Sequence, residues 1–388
     1  MATTRSPRTT SFSDSLTDKM NHPMLDYQLL VGATLILLTG GLVFVISASS
    51  VFSYQTTGNS FTLSSRQLVY GLIGVIAMFK VASIHPEKIR RWAGILMIGS
   101  LGALILVLAI GTAVHGQKNW IQIVGPIRLQ PSEFAKLAVV LWGAHIFARK
   151  RNVLHIQSEL LTPVAWVFAA ILVLVLLEGD MGTAMVMTPI MMSLFYFVGA
   201  PMKWLWGVVG LGIAGIVVLT YMAPYRMARF TSWLNPGADE QGASYQVTHG
   251  QRALGTGGFW GVGLGGSKEK WGTLPEAHTD FIYAVIGEEV GILGTLLVLG
   301  LFATIIFVGI RVSRVNSDPF VKLASLGVVA WITTQMFVNI GAVLGILPVT
   351  GVPLPLVSYG GSSLIPTLLG LGMLMSFSKP EHQQPARS

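Results

Sequence analysis

Apolar residues fall in long blocks along the chain, with short polar stretches between them. A helix needs about 20 apolar residues to cross a bilayer. Ten blocks approach or exceed that length: Tyr27–Ser49, Gln67–Ile84, Trp92–Gly111, Ser132–Phe147, Leu161–Leu177, Met181–Val198, Lys203–Met222, Asp280–Val312, Phe320–Gly345 and Leu364–Phe377. The eighth is long enough to project beyond the bilayer or to tilt. No repeat of fixed period is visible. The blocks tile the chain, so length does not translate into several soluble domains. The pattern predicts an all-α polytopic membrane protein of about ten transmembrane helices. A large extracytoplasmic loop, residues 223–279, separates helices 7 and 8. One membrane domain covers 27–378, flanked by polar cytoplasmic tails at 1–26 and 379–388. The first tail is rich in Ser and Thr and is expected to be disordered. The first apolar block is longer than a signal-peptide core and others follow it, so no cleaved leader is expected.

Composition agrees with this pattern. Of the 388 residues, 52% are hydrophobic and 11% charged, and the mean hydropathy is +0.65. A soluble domain carries about 25% charged residues. Cysteine is absent, which excludes disulfides and thiolate chemistry. The net charge of +8 raises the question of nucleic acid, but its placement argues against that partner. With the N-terminus cytoplasmic, sixteen of the 25 Lys and Arg border the inner side and eight the outer, with Lys136 inside a helix. Five of those eight lie in the long loop, where charges weigh little on topology. Both termini are therefore expected in the cytoplasm.

Three outer segments stand out. Residues 223–279 form a Gly-rich loop far longer than ordinary connections, and such loops tend to be functional. Residues 114–131 form an amphipathic second loop. Residues 347–363 carry no charge, but three Pro and three Gly rule out a long helix. Irregular backbone at membrane depth must be buried in protein or line a wet cavity.

Ionisable groups within the spans are the sharpest chemical clue, because each costs roughly 2.5–3.5 kcal/mol at the bilayer centre. Glu133 and Lys136 are three apart and can pair on one helix face, as structure or as part of a site. Glu178 and Asp180 close the fifth block in a turn-forming string. The densest cluster is Leu274-Pro-Glu-Ala-His-Thr-Asp280, which places Glu276, His278 and Asp280 just before an apolar helix. Thr279 or Asp280 can cap that helix, which leaves Glu276 and His278 unexplained. A carboxylate desolvated at this boundary would be a usable proton acceptor near neutral pH. Glu288 and Glu289 lie on different faces of the same helix, and at least one needs a partner in the bundle. Arg226 and Arg229 are spaced to clamp a phosphate or to face lipid headgroups. The run Gly255–Gly266 lacks the strand and helix of a nucleotide fingerprint and reads as a flexible or closely packed loop. Gly287 and Gly291 permit a close helix approach. No metal-ligand set stands out. A divalent cation, Mg or Mn, held by carboxylates and phosphate oxygens would leave little sequence trace.

The strings Gly125-Pro-Ile-Arg-Leu-Gln-Pro-Ser-Glu-Phe-Ala-Lys136, Gly179-Asp-Met-Gly-Thr183, Tyr245-Gln246, Ala253-Leu-Gly-Thr-Gly-Gly258, Leu274-Pro-Glu-Ala-His-Thr-Asp-Phe-Ile282 and Pro353-Leu-Pro-Leu-Val-Ser-Tyr-Gly-Gly-Ser-Ser363 together resemble the FtsW/RodA/SpoVE family, the SEDS peptidoglycan glycosyltransferases. The chain looks more like the division branch, FtsW, than the elongation branch, RodA. Two positions depart from the family pattern. Gly179 stands where Pro is frequent, and Asn119 stands where Arg often precedes Trp120. The resemblance implies a polymerase of lipid II acting in septal wall synthesis, with Asp280 as base or cation ligand. It places Lys118, Arg128, Arg226, Arg229 and Lys136 as candidates for the pyrophosphate. Trp120, Glu133, Gln246, Glu276, His278 and Ser358 join them as substrate-binding candidates. It also implies a class B penicillin-binding protein and other division proteins as partners. The alternative from a different class is a flippase of lipid-linked precursors, which also suits broken segments and buried charge.

Overall fold

The computed structural model describes residues 24–114, 117–124, 127–221, 224–235 and 244–382. Residues 1–23 and 383–388 of the two expected tails lie outside the described residues. The chain forms thirteen α-helices among the described residues: α1 (Leu25–Thr57), α2 (Thr62–Ala82), α3 (Pro86–Ile110), α4 (Pro131–Arg149), α5 (Gln157–Leu161), α6 (Val164–Leu177), α7 (Met181–Val198), α8 (Met202–Tyr221), α9 (Pro224–Leu234), α10 (Tyr245–Gly257), α11 (Ile282–Val315), α12 (Pro319–Val343) and α13 (Gly361–Ser378). Each of the ten apolar blocks coincides with a helix. Eight crossings are long and apolar enough to span a membrane on those grounds alone, that of α6 taken together with α5. Of the other two, α4 carries the Glu133–Lys136 pair, and α8 has a shorter apolar run, Met202–Gly215.

The core follows from which faces are covered. Within the apolar windows, 67% of α12 and 78% of α13 are buried, against 28% of α2 and α3. So α12 and α13 form the centre, packed on α2, α4, α7 and α11. By contrast α8 packs mainly on α9 and touches α7, leaving most of its length uncovered. The first and last described residues, Met24 and His382, lie on one face of the bundle. There Lys379 Nζ sits 5.6 Å from the ring of Tyr27, and Ser376 Oγ donates to Ile84 O. We call this the terminal face and its opposite the far face.

Two far-face segments expected as loops carry regular structure. Between α3 and α4 a small antiparallel sheet forms from β1 (Thr112–Val114), β2 (Gln117–Val124) and β3 (Ile127–Leu129), in the order β1-β2-β3. The long loop is not structureless, since α9 and α10 lie within it. The helix after the acid cluster begins at Ile282, with Phe281 at the cap position and no side-chain cap. The cap position thus falls one residue beyond Asp280. Thr279 Oγ1 instead turns back to Glu276 Oε2 at 2.7 Å.

Helix α11 is broken at Gly291, whose φ of 74° and ψ of −163° are open to Gly at little cost. The break exposes backbone groups that need partners. The Gly-rich loop supplies them: Val262 N donates to Glu288 O, Gly263 N to Glu289 O, and Ile292 N to Gly258 O. The fit is backbone on backbone, because a Cβ on Gly257 would fall 1.9 Å from Gly287 O. The Gly287/Gly291 spacing therefore serves a close approach within this chain.

Candidate functional site at the far face

Residues 344–360 join α12 to α13 without regular structure, yet Val352, Leu354, Leu356, Val357 and Ser358 are buried. Buried irregular backbone must find partners, and side chains from α12 and α2 provide them. Gln335 Nε2 donates to Pro353 O at 3.0 Å, and Asn339 Nδ2 donates to Val352 O at 2.8 Å. From α2, Gln67 Nε2 donates to Ser358 O while its Oε1 accepts from Gly360 N, both at 3.1 Å.

This pinned segment holds the acid cluster in turn. Ser358 Oγ donates to Thr279 O at 2.6 Å and accepts from Leu354 N at 2.8 Å. Tyr359 N donates to His278 O at 2.9 Å. Asn339 Nδ2 reaches Asp280 O at 2.9 Å. The backbone of residues 278–280 is thus fixed by three contacts from the irregular segment and α12. The Asp280 carboxylate is half-buried and faces Gly351, where a methyl group would lie 3.7 Å from its Oδ2. A side chain longer than Ala at that position would crowd the carboxylate.

Aromatic groups enclose His278. Phe52 stacks on it at 5.2 Å and Tyr359 tilts against it at 5.7 Å. Burial pushes the His278 imidazole below its usual value, and Glu276 only partly opposes this. Burial pushes the Tyr359 phenol up, while Arg66, hydrogen-bonded to it, pulls it down. The exposed Glu276 has positive φ, 55°.

A second polar group lies behind this one. Lys136 Nζ bonds Glu133 Oε1 at 2.8 Å and Gln335 Oε1 at 3.0 Å, and it sits 5.3 Å from the Trp331 ring. Because Gln335 also holds Pro353, the expected Glu133–Lys136 pair is wired to the irregular segment. Asp180 caps α7 through Thr183 N and also accepts from Asn119 at 3.0 Å and Gln130 at 2.7 Å. Asn119, at the position where the family often has Arg, therefore engages an acid as a neutral donor. Among the described residues neither oxygen of the buried Glu178 has a hydrogen-bond partner. Burial first, and Asp180 second, push this carboxyl up to about 8.

The structure brings Asp280, His278, Glu276 and Ser358 into one site. Gln246 lies one turn before Gly250 on α10, and Gly250 abuts the ring of Phe281, the residue after Asp280. Arg128 is exposed, and its carbonyl accepts from Ser362 at the start of α13. Trp120 is half-buried on β2, paired with Thr112. The Lys118 ammonium caps α3 through Leu108 O and Ala109 O, at 2.6 and 3.1 Å. The side chains of Arg226 and Arg229 lie outside the described residues; their helix is tethered through Trp233 Nε1 to Gly345 O at 2.9 Å. Sequence reasoning missed Gln67, Gln335, Asn339 and Arg66. The signal for Gln335 and Asn339 was two amides one turn apart in an apolar span.

A family model described as "Cell cycle protein", covering FtsW, RodA and SpoVE, matches residues 27–383. Stage V sporulation protein E of Bacillus subtilis is 38% identical over 367 residues, 94% of this chain and 99% of that protein. The probable peptidoglycan glycosyltransferase FtsW of Coxiella burnetii is 40% identical over 357 residues, 89% and 94% of the two chains. Among solved structures, a chain from work on the structural coordination of polymerization and crosslinking by a peptidoglycan synthase complex superposes with a TM-score of 0.71 at 28% identity, over 92% of this chain and 98% of that one. The rod shape determining protein RodA of Thermus thermophilus superposes with a TM-score of 0.67 at 26% identity, over 92% and 97%. By model, relatives and fold alike, this multi-pass membrane protein belongs to the FtsW/RodA/SpoVE family.

Proposed function

We propose that the chain is a peptidoglycan glycosyltransferase that polymerises lipid II, with Asp280 at the reacting centre. The observation that carries this reading is the fixation of residues 278–280. Three backbone contacts hold a half-buried carboxylate at the far face of the bundle, beside a glycine that leaves it room. Bonding to a preorganised carboxylate suits proton abstraction from a sugar hydroxyl, because the base need not be oriented at the moment of reaction. The hydroxyl oxygen attacks the anomeric carbon, its proton passes to Asp280, and the undecaprenyl pyrophosphate departs with the bonding pair. Cations on the far face neutralise that leaving group; Arg66 joins Lys118, Arg128, Arg226 and Arg229 as candidates, whereas Lys136 is buried and bonded to Glu133 and Gln335. The exposed apolar flank of α8 offers a surface for the lipid chain.

Among the described residues no three His, Asp or Glu side chains converge on one point. A Mg or Mn ion at Asp280 would therefore draw its remaining ligands from pyrophosphate oxygens and water. Such an ion would supply charge neutralisation there. The positive-inside asymmetry supports a cytoplasmic terminal face and a site on the outer side. A class B penicillin-binding protein is the partner that would cross-link the product, and the division septum the place of action.

Purified protein with that partner and lipid II is expected to make glycan strands, and Asp280→Asn to make none while folding normally. Normal polymerisation by Asp280→Asn would remove Asp280 from the mechanism. Wild-type protein that only moves lipid II across liposomes would replace the polymerase with a flippase.

A further inference from the structure

Two helices are longer than the hydrocarbon layer is thick. α1 has 33 residues, about 50 Å at 1.5 Å per residue, and the unbroken part of α11, Ile292–Val315, is about 36 Å long, against a layer of about 30 Å. Near the terminal face they are tied by Arg311 Nε and Asp26 Oδ2 at 3.4 Å. Counting from Asp26 along unbroken α1, Ser47 stands about 32 Å away, opposite Glu289 just past the break in α11. Those two side chains meet, Ser47 Oγ on Glu289 Oε1 at 2.6 Å. The two ties therefore bracket one hydrocarbon thickness, and the second marks its far edge.

The Gly-rich loop docks at that edge. Its inner side is polar and closed. Ser267 Oγ and Lys268 N bond Glu288, and Lys270 Nζ bonds Glu289, Ser47 and Gly265 O. Its other side is apolar and uncovered: Trp260 is 77% exposed, Leu264 70%, Trp271 66% and Phe259 57%. Immediately below the break, Ile292, Leu293, Leu296 and Leu297 are exposed on α11. The apolar face of the loop thus continues the lipid-facing surface of the helix. It carries Trp, the residue that prefers the headgroup level, and an exposed Lys268 suited to anionic headgroups.

We propose that residues 258–271 are a membrane-interface anchor, with Phe259, Trp260, Leu264 and Trp271 seated among the lipids of the far leaflet. The chain runs directly from this anchor into the turn that bears Asp280. The height of the carboxylate above the bilayer is then set by lipid contact as well as by helix packing. The proposal rests on the membrane reading of the fold and not on the glycosyltransferase reading.

The absence of native cysteine makes the test direct. Trp260→Cys, and Thr273→Cys in the exposed stretch that follows, are labelled singly with an environment-sensitive nitrobenzoxadiazole probe. The full chain is placed in liposomes of phosphatidylcholine and phosphatidylglycerol, and thermal unfolding checks each variant. Lipids brominated near the head of the acyl chain should dim the probe at 260 roughly twofold, and those brominated near the chain end should do less. Aqueous iodide should quench at 273 and spare 260. Equal iodide quenching at both positions, with no effect of brominated lipid, would overturn the anchor. Shielding of position 260 only after a penicillin-binding protein is added would likewise overturn it and assign the surface to a protein partner.

Discussion

Two buried ion pairs sit at the far end of the bundle, and they are built differently. Glu133 and Lys136 are one turn apart on α4, 2.8 Å from each other. Glu289 and Lys270 are nineteen residues apart, on a helix and on a loop, and 2.9 Å from each other. In both, the second carboxylate oxygen has no hydrogen-bond partner among the described residues. The first pair forms as soon as α4 does, and Gln335 then links it to the irregular segment. The second exists only once the Gly-rich loop has docked on broken α11. The difference teaches that similar local chemistry can serve a helix-borne brace in one place and a latch in another.

Removing one partner breaks the comparison most strongly. Lys136→Met leaves Glu133 buried without its cation, a loss of about 3–5 kcal/mol. Thermal unfolding in detergent should show it, and adding Glu133→Gln should restore most of the loss. A single variant as stable as wild type would mean that the pair is not buried. Lys270→Met should remove about 2–3 kcal/mol, because a loop can lift and admit water where a helix cannot. Hydrogen exchange should then rise over residues 258–271 and stay unchanged on α4; a global rise would contradict the latch.

Gly257→Ala tests the same docking without touching charge. Its methyl would meet Gly287 O at 1.9 Å, and the expected loss is about 1–3 kcal/mol. Unaltered protease resistance of the loop would argue against the backbone contact. Glu178 sharpens the comparison as an acid whose burial no described hydrogen bond offsets. With its carboxyl pushed up to about 8 from 4.5, the folded protein keeps a proton there that the unfolded chain has released. The folded state binds more protons between those values, so stability falls as pH rises through that window. Glu178→Gln should flatten this fall, gaining about 1–2 kcal/mol above pH 8 and nothing near pH 4, allowing for partial solvation. An unchanged pH profile of unfolding would show that Glu178 ionises normally.

The helices were legible because apolar blocks of bilayer length have few other solutions. Glu133–Lys136 was legible because its spacing is helical, and the irregular segment because Pro348, Pro353 and Pro355 cannot sit in one helix. The break in α11 was not. Gly is common in membrane helices, and nothing in Gly287–Gly291 tells a helix crossing from a docked loop. The partners of the irregular segment were hidden for another reason. Gln67, Gln335 and Asn339 are uncharged, so they hardly disturb an apolar block, yet they hold the backbone around Asp280. The sheet at 112–129 escaped because its strands are short and its apolar alternation reads equally as an amphipathic loop.

The joint at Gly291 has a mechanical consequence. Below it, Ile292–Val315 makes a rod of about 36 Å, longer than a hydrocarbon layer of about 30 Å. A rod that exceeds its slab accommodates by tilting. Gly291 sets the direction of the rod relative to the stub above, and the loop bonds both sides of it, Glu288 O and Glu289 O before and Ile292 N after. Tilt imposed by a thicker or thinner bilayer therefore meets that clamp before it reaches the turn that bears Asp280.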